Sequence, residues 1–201
     1  MAIKINGTTV IDDNRNLVNI ASGAGGLYEQ IVAENTSTGA NGTSATLGPF
    51  TLGDYQRQTF RFEGLYRTGG GGGRLQCRVT NGSGTTLTSG YIEAGQTRTT
   101  NHYESNAGHG LWYWYRAESM PSGGNGDMSV EVTFSDAYDS TKRTTARWLS
   151  WGYANGGADI AGSWVNTTRN TVEKNNSFFL YFENGGTYWG SGSTYSSWGI
   201  A

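Results

Sequence analysis

The chain has 201 residues, 32 of them Gly and only 2 Pro, with a formal net charge of −2 and 15% charged side chains. Gly so far above the usual ~7%, with charge well below the usual ~25%, excludes a helical bundle or coiled coil, which needs Ala, Leu, Glu and Lys. Seven Trp, 12 Tyr and 7 Phe also exclude plain disorder, because a chain that cannot bury a core does not carry so many rings. What remains is an all-β domain with long polar loops.

Along the chain, Ile3-Lys4-Ile5 is a short alternating strand, and Asn6-Gly7 is a strong hairpin signal because both residues accept positive φ. Thr8 to Ile11 returns as a β-branched strand. After the polar turn Asp12 to Asn16, Leu17-Val18-Asn19-Ile20 reads as a third. Three such strands bury little alone. Ile5, Val10, Ile11, Leu17, Val18 and Ile20, held in place by the Asn6-Gly7 turn, must therefore lean on the body of the protein or on copies of themselves. We assign residues 1–21 to an assembly and anchoring module, 22–26 to a small-residue joint, and 27–201 to the body.

In the body, Leu27 to Glu34 is a plausible strand, followed by a loop from Asn35 to Thr46. Thr59 to Glu63 alternates with Phe60 and Phe62 on one face. The five-glycine run Gly69 to Gly73 reads as a hairpin connection to Arg74–Thr80, where Leu75, Cys77 and Val79 share a face. Met128 to Phe134 repeats the pattern with Met128, Val130, Val132 and Phe134 inward. This period of two marks half-buried antiparallel strands. Leu111–Tyr115 and Phe178–Phe182 are apolar on both faces, which predicts burial between layers or against a neighbouring subunit. Ser135 to Lys142 has room for one helical turn, and its threonines discourage more. Eight to ten strands at this spacing predict an all-β fold, an antiparallel two-sheet sandwich of jelly-roll type preceded by a short N-terminal β-hairpin module.

No catalytic constellation stands out. His102 and His109 lack metal-ligand spacing and read as surface residues, and Ser and Gly are abundant without a G-x-S-x-G elbow. Arg74 and Leu75 follow the glycine run where a phosphate loop needs Lys and Ser or Thr. Cys77, the single cysteine, reads as a buried, inert thiol. Asp136 and Asp139 read as turn carboxylates bonded to their own backbone. We expect no enzyme activity, no cofactor and no metal. The near-neutral charge, with Arg residues alternating along strands instead of clustering, speaks against a nucleic-acid partner. The absence of an apolar leader or a ~20-residue apolar run predicts neither ordinary secretion nor membrane insertion.

The aromatic residues carry more information. Trp148, Trp151 and Tyr153 form one group and Trp164 stands apart. In the tail, Tyr188, Trp189, Tyr195 and Trp198 sit among Gly and Ser. Rings on such loops stack on sugars, are buried by another subunit, or pack back on the chain's own core. We take these four as the candidate ligand-binding residues.

The segment Lys4-Ile5-Asn6-Gly7-Thr8-Thr9-Val10-Ile11-Asp12-Asp13-Asn14-Arg15-Asn16-Leu17-Val18-Asn19-Ile20 resembles a module of tail-fibre and other virion structural proteins of tailed phages, especially marine cyanophages. There it tends to precede a variable β-rich domain. The resemblance covers about a tenth of the chain. It implies a non-enzymatic virion protein, assembled in the host cytoplasm and released by lysis. Such a protein is a fibre or tip protein for host attachment, or else a capsid decoration or head-fibre protein. A free lectin-like carbohydrate-binding module is the reading unrelated to phages. Partners would be other virion proteins of tail or capsid, host surface glycan, and the chain itself. Proteins of this kind are commonly homotrimers, which would cover the strands that are apolar on both faces.

Overall fold

The computed structural model describes the backbone of residues 3–5, 8–11, 29–36, 46–68, 75–97, 101–109, 112–115, 128–154, 159–182 and 187–200. It describes the side chains of residues 48–65, 75–92, 94, 129–152, 164–180 and 194–200. The elements are β1 (Ile3–Ile5), β2 (Thr8–Ile11), β3 (Glu29–Thr36), β4 (Thr46–Thr51), β5 (Arg57–Thr68), β6 (Leu75–Asn81) and β7 (Tyr91–Thr97). They continue as β8 (Asn101–His109), β9 (Trp112–Tyr115), β10 (Met128–Ser135), β11 (Arg143–Ala154), β12 (Asp159–Val172), β13 (Asn175–Phe182) and β14 (Thr187–Ile200). There is no helix among the described residues.

The strand pairs nest. β3 pairs with β14, β4 with β13, β5 with β10 and β6 with β9, as in one long hairpin doubled back on itself. β14 also pairs with β5, and β13 with β6, so the doubled ribbon rolls up and divides between two antiparallel sheets. One carries the order β3-β14-β5-β10 and the other β4-β13-β6-β9. The remaining body strands are two insertions, β7–β8 between β6 and β9, and β11–β12 between β10 and β13. All four join the first sheet beyond β10, in the order β11-β12-β7-β8, making it eight strands against four. The two-sheet sandwich read from the sequence is present.

The core lies between the sheets and follows the period of two. Phe60, Phe62, Val130, Val132, Phe134, Ala146, Trp148 and Val165 point inward from the larger sheet. They meet Phe50, Leu75, Cys77, Val79, Phe178 and Leu180 from the smaller one. Phe178 is the hub, its ring centre 4.7 Å from Phe134, 4.8 Å from Phe60 and 5.1 Å from Phe50. The contact with Phe60 is edge-to-face, which directs one ring's positive edge onto the other's negative face, while those with Phe134 and Phe50 are tilted. Cys77 is buried as read, and burial pushes its thiol well above the ordinary value.

A buried polar knot holds the inserted strands. Tyr91 of β7 accepts a hydrogen bond from Val79 N–H at 3.0 Å and donates to Leu87 O at 2.9 Å. The guanidinium of Arg169, on the inner face of β12, lies over the Tyr91 ring. It also donates to Ser89 O and to Glu173 Oε1. Gly90 has φ +80°, and a Cβ there would stand 3.3 Å from the Arg169 guanidinium, so the chain turns at the one residue type that leaves the arginine its place.

Several sequence expectations need correction. The glycine run does not close a hairpin, because β5 and β6 belong to different sheets and do not pair. Ser135 to Lys142 is the end of β10 and a tight turn into β11, with Asp136 at φ 57°. Asp139 Oδ1 accepts from Thr141 N–H and Oγ1–H, and Lys142 bridges to Asp136, so local bonds outcompete a helical turn. Phe178 and Leu180 are buried in the core while Phe179 is half-buried. β1 and β2 form a two-stranded sheet of their own, Ile5 opposite Thr8, which leaves a two-residue connection as the Asn6-Gly7 signal predicts. Leu17, Val18, Ile20 and the 22–26 joint lie outside the described residues.

Candidate functional site

The tail is not a loop. Tyr188, Trp189, Tyr195 and Trp198 all belong to β14, which runs between β3 and β5 inside the larger sheet. Gly and Ser read as loop-forming because they contribute little strand propensity, but pairing on both sides overrides that deficit. The register with β5 slips twice, between Thr187 and Trp189 and between Trp189 and Thr194. Tyr195 faces inward, its ring 5.1 Å from Phe50 and stacked on Phe62 at 6.2 Å. It is a packing residue, not one aimed at an external ligand. Trp198 lies opposite Thr59 on the other face and is half-buried. The side chains of Tyr188 and Trp189 lie outside the described residues. The four residues therefore form no common site.

The face that Trp198 shares, the outer face of the larger sheet, carries a concavity of about 630 Å³. Register explains how it is built. One cross-strand row runs Arg57, Ser135, Thr145, Thr168, Ile92 across β5, β10, β11, β12 and β7. The next runs Thr133, Arg147, Asn166, Ala94, continued by Thr59 and Trp198 at the β14 end. Thr59 and Thr133 share a hydrogen bond of 2.9 Å between their hydroxyls, which fixes them side by side. At strand spacings of about 4.8 Å and a rise of about 3.3 Å per residue, the trough is roughly 19 Å long and 7 Å across its two rows.

The trough is polar but not acidic: its two rows hold hydroxyls, the Asn166 amide and two guanidiniums, and no carboxylate. Most other described cations are ion-paired, Arg61 with Glu63, Lys142 with Asp136 and Asp139, Arg169 with Glu173 and Lys174 with Asp54. Neither Arg57 nor Arg147 has a carboxylate partner among the described residues. Beside the trough runs the row Arg61, Glu131, Leu149, Trp164 across β5, β10, β11 and β12, charged at one end and apolar at the other. Trp164 stands opposite Leu149, and Trp151 follows two residues along β11. These side chains are 45%, 36% and 41% exposed, against 0% for Trp148 on the inner face of the same strand. Large exposed rings next to a polar trough mark a binding surface more often than a plain one.

Of the residues in the two rows, Trp198 alone is a binding candidate from the sequence, and it stands at the β14 end of its row. Arg57, Ile92, Ser135, Thr145 and Thr168 are scattered through the chain, and only the strand register brings them together. One signal is available: Arg147, Leu149 and Trp151 alternate with Trp148 and Ser150, which marks a strand with large or charged side chains on its outer face.

No protein-family model matches the chain, and no curated protein matches it in sequence. Among solved structures, a mutant alginate lyase in complex with an alginate trisaccharide aligns over 87% of this chain and 82% of its own, at 10% identity and a TM-score of 0.32. A likeness of that size says nothing about this chain's chemistry.

Proposed function

We propose that the chain is a non-enzymatic structural protein of a tailed-phage virion, a fibre or tip protein that attaches to the host through surface glycan. The trough carries the attachment part of this reading. Hydroxyls, an amide and guanidiniums on a rigid sheet suit the hydroxyls of an extended sugar chain, and exposed tryptophans beside them suit its apolar ring faces. The antiparallel two-sheet sandwich supports the reading, because sandwiches of jelly-roll type serve both viral capsid and lectin domains. The virion part rests on the N-terminal module. Its β1–β2 hairpin forms a sheet apart from the body, as an element that grips another protein should.

That hairpin equally favours a second reading, a capsid decoration or head-fibre protein. The trough taken alone favours a third, a free lectin-like module. In each the chain needs no cofactor, and in the two virion readings it assembles in the host cytoplasm as a homotrimer. Three measurements separate the readings. Adsorption of the purified protein to host cells, lost in Trp164→Ala, supports attachment. Recovery of the chain on tailless capsids supports decoration. A monomer of 21.6 kDa by light scattering, binding sugar tightly, supports the free module.

A further inference from the structure

We infer that the trough takes an anionic polysaccharide, one carrying carboxylate or sulfate groups at intervals along an extended chain; this rests on the glycan-binding reading above. The charge arrangement is the reason. Arg57 and Arg147 project from a surface without acids in its two rows, while most other described cations are neutralised within the protein. Arg143 extends the same face of β11 two residues beyond Thr145 and is exposed, again without a carboxylate partner among the described residues. On a chain of net charge −2, such a concentration of unneutralised arginine is local, and it coincides with the concavity.

Guanidinium is the group suited to carboxylate and sulfate, since its planar fork donates two parallel hydrogen bonds to two oxygens. A neutral glycan would leave those forks to water. Spacing argues for a polymer over a small anion. Arg57 and Arg147 stand two strands and one row apart, about 12 Å between Cα positions at ordinary sheet spacings. Leaving the sheet in the same direction from separate points, they meet successive charges on one extended ligand. Trp164, on the row beside Asn166, offers a face for a sugar ring between or beyond those charges. Nucleic acid is the less suitable polyanion, because its charges are far denser than two or three arginines can match.

The experiment measures binding of the full chain to polygalacturonate and its carboxyl-reduced form, to dextran sulfate and plain dextran, and to duplex DNA, each at low and high NaCl. The expected result is binding to the acidic polysaccharides that weakens with salt and falls roughly tenfold or more in Arg57→Gln and in Arg147→Gln. Both arginines are exposed, so unchanged melting temperatures identify the loss as one of contact. Polygalacturonate against dextran sulfate tells carboxylate from sulfate, and tight binding to either supports the inference. Equal binding to charged and uncharged polymers, indifferent to both substitutions, overturns it and leaves the glycan reading standing. DNA bound as tightly as either acidic polysaccharide overturns it by making the trough a general polyanion surface. No binding to any polysaccharide, with host envelope material also refused, defeats the attachment reading itself.

Discussion

The guanidinium carbon of Arg169 lies 4.4 Å from the centre of the Tyr91 ring, and the hydroxyl of that ring ties β7 to β6 through Val79 N–H. One side chain thus joins an inserted strand of the larger sheet to the smaller sheet. Tyr91→Phe keeps the ring and removes one acceptor and one donor, leaving Val79 N–H and Leu87 O without their partner. The expected cost is about 1–3 kcal/mol by urea unfolding. Glu173→Gln should also destabilise, since Arg169 is only 2% exposed and loses its countercharge. An unchanged midpoint in Tyr91→Phe would show that the knot is not a structural tie.

Tryptophans of one hairpin should separate by face. Trp148→Ala opens a hole between the sheets and should cost about 3–5 kcal/mol. Trp151→Ala and Trp164→Ala, on the solvent side, should stay within about 0.5 kcal/mol of the parent by the same assay. Adsorption to host cells should move the other way, falling in Trp164→Ala although the protein melts where it did. A large loss of stability in Trp164→Ala would assign that ring to packing.

Alkaline pH should weaken the fold. Burial raises the Cys77 thiol well above its ordinary 9.0, and it raises the Tyr91 phenol above 10.0 against the opposing effect of the hydrogen bond from Val79. The unfolded chain releases these protons at the ordinary values while the native chain holds them. Their contribution is therefore intact below pH 9.0 and declines as pH rises past 9.0 and then 10.0. Melting temperatures between pH 7 and 11 should trace that decline, with a shallower slope in Cys77→Ala. Iodoacetamide should leave the native thiol unmodified and alkylate it after unfolding. Rapid native alkylation would contradict the burial.

The strands that alternate cleanly were legible. Phe60 and Phe62, Leu75 and Val79, and Val130, Val132 and Phe134 face inward by spacing alone, and all are buried. Two things were not legible. The tail looked like loop because Gly and Ser do not announce a strand whose stability comes from neighbours on both sides. The trough depends on which strands are adjacent, and β7 beside β12 joins residues some 75 positions apart in the chain. Neither turn chemistry nor periodicity encodes such a neighbour. Tyr195 shows the limit well, being separated from Trp198 by two residues yet placed on the opposite face.

The N-terminal hairpin should be separable from the body. Deleting residues 1–21 should leave an unfolding midpoint near that of the full chain, and Gly7→Val should weaken the hairpin because a β-branched residue resists positive φ in an Asn-Gly connection. Incorporation into particles should fail in the deletion. Normal incorporation of the shortened chain would remove the anchoring role from this segment.

The nested pairing of β3 with β14, β4 with β13, β5 with β10 and β6 with β9 closes without help from β7, β8, β11 or β12. Yet β7, β11 and β12 supply most of the trough wall, on the side chains that alternate away from the core. Inheritance can therefore work on the two halves at different speeds. Changes at every second residue of the two inserted hairpins would alter the outer face, while the paired strands beneath keep their inward-facing core. Under the attachment reading proposed above, a change in the host's coat is met by revising that outermost layer alone.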